Sequence, residues 1–144
     1  MMSEVHFAPL NLPVAAQKWL LDFWSVIQGL DDWRDNDPVD PKVKERVIYC
    51  VMVDMPQNGF FQAHSNYLLP LVSSCVLRWI GANRLEENGE ELQKAYMWRA
   101  AYYDIVLEVV RLCHGVEAAM NAAVYVAKLY GEPFDEYVKE FKNA

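Results

Sequence analysis

The segment Leu92–His114, LQKAYMWRAAYYDIVLEVVRLCH, predicts a long helix that is apolar on nearly every side. From Tyr96 to Cys113 its only charged residues are Arg99, Asp104, Glu108 and Arg111. At about 100° per residue, Asp104, Glu108 and Arg111 fall within about 60° of arc. Because a helix that is apolar nearly all round lies inside a bundle, we expect these ionisable side chains to face other helices. They then need ion-pair partners, a metal ion or an internal cavity.

Amphipathic helices are predicted on the N-terminal side of this segment. Apolar residues at three- and four-residue spacing indicate a helix from Val14 to about Trp33, with Pro13 suited to its first position. Asp40 and Pro41 are typical of the cap and first turn of a second helix. A short helix over residues 60–67 and a further one over residues 70–87 follow, and a single long helix kinked at Pro70 is the alternative.

On the C-terminal side, Gly115 ends or bends the central helix. Alanines over residues 118–127 form a small-residue face that lets another helix approach closely, which is compatible with a symmetric dimer. Phe134–Lys142 predicts a short terminal helix with Phe134, Tyr137, Val138 and Phe141 inward.

These helices predict an all-α protein, a single-domain bundle of six to seven helices around residues 92–114. No segment alternates with the period of two that a strand requires. A chain of 144 residues has the size of one domain with a real core, so residues 1–144 are expected to form one domain. Residues 1–12 are expected to be an irregular N-terminal arm.

Charge and composition limit the classes of partner that we expect for this chain. The chain has 13 basic and 20 acidic residues and a net charge of −7, and its lysines and arginines do not cluster, so we expect no nucleic acid partner. No apolar run reaches the length of roughly 18 residues needed to cross a bilayer, so we expect no membrane partner. The acidic surface either suits a basic protein partner or is simply solvated.

Cysteine usage and the N-terminus predict a cytoplasmic protein. Each of the three cysteines lies inside an apolar run, none forms a C-x-x-C pair, and three cannot all pair within one chain. They are therefore expected to be reduced core residues. The N-terminus lacks the basic leader and long apolar core of a signal peptide.

A cluster of carboxylates follows the first long helix. Its members are Asp31, Asp32, Asp35, Asp37 and Asp40. Asp31 and Asp35 are one turn apart on the side that carries Trp24 and Ile27, so they are candidates to point inward. Acids at a helix C-terminus oppose the macrodipole by about 0.3–1 kcal/mol each, and a Mg²⁺ ion would compensate for that cost. The alternative is a solvated, turn-rich loop.

Asp104 and Glu108, one turn apart on the central helix, are candidates for the other half of such a carboxylate cage. The hypothetical metal site therefore consists of Asp31, Asp32, Asp35, Asp104 and Glu108. The structural alternative pairs Glu108 with Arg111 at i, i+3 and Asp104 with a tyrosine, Arg78 or Arg84.

The string DDWRD, residues 31–35, matches D-D-x-x-D and so resembles the first aspartate-rich motif of class I isoprenoid synthases. That resemblance implies an all-helical enzyme in which Asp31, Asp32 and Asp35 bind Mg²⁺ that holds a substrate diphosphate. Asp104 and Glu108 would loosely correspond to the second acidic motif, and Arg99 or Arg111 would contact the diphosphate.

The chain also resembles small helical proteins encoded by phages and prophages. The likeness rests on DD-x-x-D-x-D, V-D-M-P-x-N-x-F-F-x-x-H, W-x-x-A-N-x-L-E and R-x-x-Y-Y-D, which here are residues 31–37, 53–64, 79–86 and 99–104. It implies an accessory protein of a mobile element, working in the host cytoplasm.

Two functions are therefore expected. The first is a phage- or prophage-type accessory protein that binds a protein partner. The alternative is a Mg²⁺-dependent enzyme acting on a phosphorylated or diphosphate small molecule through the carboxylate cage, by stabilising the leaving oxyanion. Its candidate substrate-binding residues are Arg99, Arg111, His64, Asn83 and Glu86.

Overall fold

The computed structural model describes residues 2–142, without the side chain of Lys142. Within this range the protein is helical, with seven helices of seven residues or more and no strand. The predicted all-α class with six or seven helices is confirmed. The chain forms two compact units, Met1–Ser65 and Asn66–Ala144, and each is described by itself. No helix among the described residues is long and apolar enough to cross a membrane.

Before the start of α5, unit 1 contains four α-helices, one 3₁₀ turn and one π-helical segment. They are α1 (Glu4–Phe7), a 3₁₀ turn (Ala8–Leu10), α2 (Val14–Arg34), α3 (Pro41–Tyr49), a π-helical segment (Cys50–Asp54) and α4 (Met55–Gln57). Helix α5 (Gly59–Asn88) begins in unit 1 and ends in unit 2.

The two long helices of unit 1 begin where the sequence predicts. Pro13 is the N-cap of α2 rather than its first helical residue, and Trp19, Leu20 and Phe23 form the buried face. The carboxylate of Asp40 accepts a hydrogen bond of 2.8 Å from the backbone N–H of Lys42, which confirms the predicted cap.

The sequence predicts an irregular N-terminal arm, but in the structure this arm is helical. It forms α1 and the 3₁₀ turn, and Phe7 and Leu10 are buried in the core of unit 1, whereas Val5 is exposed. The spacing of Phe7 and Leu10 places both on one side of a tight helix, so burial of that side stabilises an element too short to persist alone.

Unit 2 contains the rest of α5, then α6 (Leu92–Trp98), α7 (Ala101–His114), α8 (Val116–Lys128) and α9 (Phe134–Lys142). Helix α5 continues through Pro70, and its helical dihedral angles are interrupted instead at His64 (φ −126°, ψ 18°). The break therefore lies neither between residues 67 and 70, where the two predicted helices would meet, nor at Pro70, where the alternative of one long helix would kink.

The predicted central helix is wrong in two respects. It is divided at Arg99 and Ala100 into α6 and α7, and Asp104 lies on an exposed side of α7. Helix α7 buries a broad side of about 200° of arc and leaves the side with Asp104 exposed; the buried residues are Ala101, Tyr102, Tyr103, Ile105, Val106, Val109 and Val110. The sequence shows that α7 has apolar residues on several faces, but it does not show how many neighbouring helices cover them.

Two further packing arrangements complete unit 2. Helix α8 packs on α7 through the side that carries the partly buried Ala119 and Ala122 and the buried Val126. The alanine face that was considered for a dimer is therefore used within the unit. Tyr137 of α9 packs in a core cluster with Ala82 and Ala95.

The terminal helix is close to its prediction. Val138 and Phe141 pack partly buried beside Tyr137, but Phe134 is exposed rather than inward.

Candidate functional site

A buried ion pair joins α5 to the end of α6 in unit 2. The guanidinium of Arg99 donates from Nε to Oε2 of Glu86 and from Nη2 to Oε1, each at 2.5 Å. The two side chains are 19% and 5% exposed, so this bidentate pair is largely removed from water. A charge this deeply buried requires such a partner, since an unpaired one would be strongly destabilising.

Two more side chains complete this buried network. Nη2 of Arg99 also donates to Oδ1 of Asn83, one turn before Glu86. The hydroxyl of Tyr137 on α9 donates to Oε2 of Glu86 at 2.6 Å. Burial raises the pKa of Tyr137, and the hydrogen bond to Glu86 raises it further, so this phenol remains a donor at neutral pH.

The structure thus groups three of the five residues predicted to bind substrate: Asn83, Glu86 and Arg99. Both carboxylate oxygens of Glu86 already accept hydrogen bonds within the protein. This geometry suits fixing α5, α6 and α9 together, and the predicted role in substrate binding stays a prediction. Sequence reasoning placed Tyr137 in the core but missed its contact with Glu86, because the two are 51 residues apart.

The other two predicted substrate-binding residues make different contacts. Arg111 donates to Glu108 at 2.6 Å, and its guanidinium carbon lies 5.8 Å from the ring centre of Tyr67. His64 lies at the interruption in α5, with its ring 4.6 Å from that of Phe60.

The carboxylates predicted to face inward from the central helix do not do so. Asp104 is 64% exposed and pairs with Arg78 at 3.0 Å, and the half-exposed Glu108 pairs with Arg111. These are the ion pairs of the structural alternative, in which water and an arginine satisfy a carboxylate on an open helix face. The role of Asp104 and Glu108 as metal ligands stays a prediction.

The acidic turn lies at the end of α2 in unit 1. Asp31 and Asp32 are partly buried in the last turn of α2. Asp35 is the exposed C-cap of α2, and its Oδ1 lies 3.6 Å from Nη1 of Arg34. The Mg²⁺ hypothesis for this turn stays a prediction, which thermal unfolding with and without millimolar Mg²⁺ tests directly.

A different set of metal-type ligands converges in unit 1. Asp22 of α2 and Cys50 and Asp54 of the π-helical segment each offer one ligand atom, and these atoms lie within 4.8 Å of one another. None of the five predicted ligands belongs to this group. The helical spacing of Asp22 from the exposed residues Lys18 and Ser25 predicts that it lies on the wet face of α2, but the residue is only 9% exposed. The i, i+4 spacing of Cys50 and Asp54 was the one signal available.

Hydrogen bonds already connect this group. Asp22 accepts from Nζ of Lys18 at 2.9 Å, which raises the pKa of that lysine, and the thiol of Cys50 lies 3.8 Å from Oδ2 of Asp54. Burial raises the pKa of Cys50, and the two carboxylates raise it further. The thiol is therefore protonated at neutral pH, which makes it a weak nucleophile and a hydrogen-bond donor.

Large apolar side chains are exposed on several elements of each unit, and one group in each unit lies close together along the chain. In unit 1 they form what we call the α3 patch: Ile48, Tyr49, Val51 and Met52. In unit 2 they form what we call the α8 row: Val116, Met120 and Val124. Contiguous exposed apolar surface is typical of an interaction site rather than of a solvated face.

Comparison with models of known protein families, with curated proteins and with solved structures finds no match to this chain.

Proposed function

We propose that this chain is a phage- or prophage-type accessory protein, working in the host cytoplasm, that acts by binding a protein partner on the α3 patch. The observation that carries the proposal is the exposure of the patch, where Met52 is 71% exposed next to three other large apolar side chains. Val47 and Cys50, which alternate with the patch, are buried in unit 1. The patch is therefore the outward side of an element whose inward side is already packed.

Burial of this surface supplies the driving force for binding. Complete burial of a fully exposed aliphatic side chain gains about 1.5–3 kcal/mol, and these side chains are 44–71% exposed, so each gains roughly half of that when a partner covers it. Met52 is flexible and polarisable, and such side chains are common on surfaces that accommodate partners. Val51 and Met52 of the patch belong to the π-helical segment Cys50–Asp54, a rare geometry that occurs frequently at functional sites.

The charges beside the patch indicate the chemistry of the partner. Helix α3 exposes Lys42, Lys44 and Arg46 with a single acid, Glu45, although the whole chain carries a net charge of −7. This helix is therefore locally basic. A partner that presents an apolar surface edged by carboxylates complements it, and its association rate should fall as salt is added.

The experiment compares two matched variants in affinity capture from lysates of phage-infected host cells. Met52→Glu introduces a charge into the patch, and Val5→Glu introduces the same charge at a position of unit 1 that is 77% exposed and outside the patch. We expect one protein to be enriched by the wild-type chain and by Val5→Glu, and weakened at least about tenfold by Met52→Glu. Far-UV circular dichroism confirms that both variants fold.

Two results would contradict the proposal. One is that no protein is enriched above background by the wild-type chain. The other is that Met52→Glu captures the same protein as strongly as Val5→Glu does.

A further inference from the structure

The α8 row lies on a different side of α8 from the residues that are buried in unit 2. Val116, Met120 and Val124 follow one another at i, i+4 and i+8 and are 55%, 71% and 66% exposed. The more buried side, with Ala119, Ala122 and Val126, is centred about 130° away around the helix. Ala127 is also exposed and extends the row to the last turn of α8. The row is thus an outer face that no element of unit 2 covers.

Opposite charges stand at the two ends of the same edge of this row. Glu117 is in the first turn of α8 and Lys128 in the last, and both are exposed. They are eleven residues apart, which places them about 20° from each other around the helix and about 16 Å apart along it. The midpoint between them falls within about one residue, or 1.5 Å, of the midpoint of the apolar row from Val116 to Ala127.

We propose that a second copy of this chain docks on the α8 row, with the two α8 helices antiparallel about a two-fold axis that crosses the outer face midway between Met120 and Val124. Such an axis reverses the helix direction and keeps each edge on its own side. It therefore brings Met120 of one copy opposite Val124 of the other and forms two ion pairs between Glu117 and Lys128. A two-fold interface requires a surface that complements itself, and this face does so in its apolar row and in its charges.

The α3 patch does not complement itself in charge, so we do not assign a second copy of the chain as its partner. Helix α3 has three bases and one acid, so the same surface of a second copy would repel it. The α8 dimer is independent of the proposed function, because the two surfaces lie in different units and share no residue.

The size of the row sets the strength of the expected dimer. Helix α8 has 13 residues and is about 20 Å long, so two such helices bury less than the roughly 800 Å² per partner of a standard interface. A dissociation constant of tens of micromolar is therefore expected, and sedimentation velocity of the full chain from about 5 to about 500 µM covers it.

A matched pair of methionine variants tests the face. Met120→Glu places a charge in the row, and Met97→Glu makes the same change on α6 at a methionine that is 65% exposed. We expect Met120→Glu to raise the dissociation constant at least about tenfold and Met97→Glu to leave it within about twofold. A chain that is monomeric at every concentration overturns the proposal, and so does a dimer that only Met97→Glu or Met52→Glu weakens.

Charge exchange tests the antiparallel arrangement. Glu117→Lys and Lys128→Glu should each weaken association about tenfold, because each replaces two attractions with two repulsions. The double variant restores both ion pairs and should return to within about threefold of the wild type. Both changes oppose the helix macrodipole, so a loss caused by helix destabilisation would be larger in the double variant. Failure of the double variant to recover overturns the arrangement.

Discussion

Replacement of Arg99 by methionine removes the guanidinium from the buried network of unit 2 and keeps a side chain of similar length. Glu86, which is 5% exposed, then retains only the hydroxyl of Tyr137 as a donor among the contacts described above. Removing one partner from a buried ion pair costs about 3–5 kcal/mol, because the remaining charge is left without compensation. Arg99 is itself 19% exposed, so some water reaches the pair and the lower end of that range, about 3 kcal/mol, is expected.

The exposed ion pair of the same unit provides the control. Asp104 and Arg78 are 64% and 41% exposed, so Asp104→Asn should cost less than about 1 kcal/mol. The double variant Glu86→Met with Arg99→Met removes both charges and should be more stable than Arg99→Met alone, since no carboxylate remains buried and unpaired.

Equilibrium urea unfolding at neutral pH, followed by far-UV circular dichroism, measures these free energies. The reasoning is refuted if Arg99→Met costs no more than Asp104→Asn. A double variant less stable than Arg99→Met would also contradict the prediction, because Glu86 would then stabilise the protein without its arginine and could not be an uncompensated buried charge.

Three further predictions follow from packing and burial. Gly29→Ala should lower the free energy of unfolding by about 1–3 kcal/mol, because the added Cβ would lie 2.8 Å from Cγ2 of the buried Val47. Gly59→Ala is the control, since a Cβ at Gly59 would meet no atom within 4 Å, and it should be neutral or stabilising in the same urea measurement. Burial raises the pKa of Tyr103 to about 12, so above pH 10 the unfolded chain releases this proton while the folded chain still holds it. Stability should therefore fall as pH rises from about 10 to about 12, and urea midpoints should fall less steeply for Tyr103→Phe. Cys113 is partly buried and the other two thiols are buried, so a thiol reagent should modify Cys113 first in the native protein. Cys113→Ala should remove this fast phase of modification. Equal rates for all three thiols would contradict the difference in burial.

Asn83, Glu86 and Arg99 were proposed from the sequence as substrate-binding residues, and the structure brings them together in one hydrogen-bonded network. Their role in binding a substrate stays a prediction. Asp22 was missed because its helical position placed it on the wet face of α2. Only the approach of the π-helical segment from elsewhere in the chain buries that carboxylate beside Cys50.

The sequence by itself determined the all-α class, the position of α2, the cap at Asp40 and the terminal helix. These features depend on hydrophobic periodicity and on capping within a few residues of chain, and both are visible in a single segment. Only the tertiary structure decided that Asp104 and Glu108 lie on an open face, that the alanines of α8 are used against α7, and that the α8 row and the α3 patch remain uncovered. Which face of a helix is covered depends on contacts between segments that are distant in sequence, and the periodicity of one helix does not contain that information.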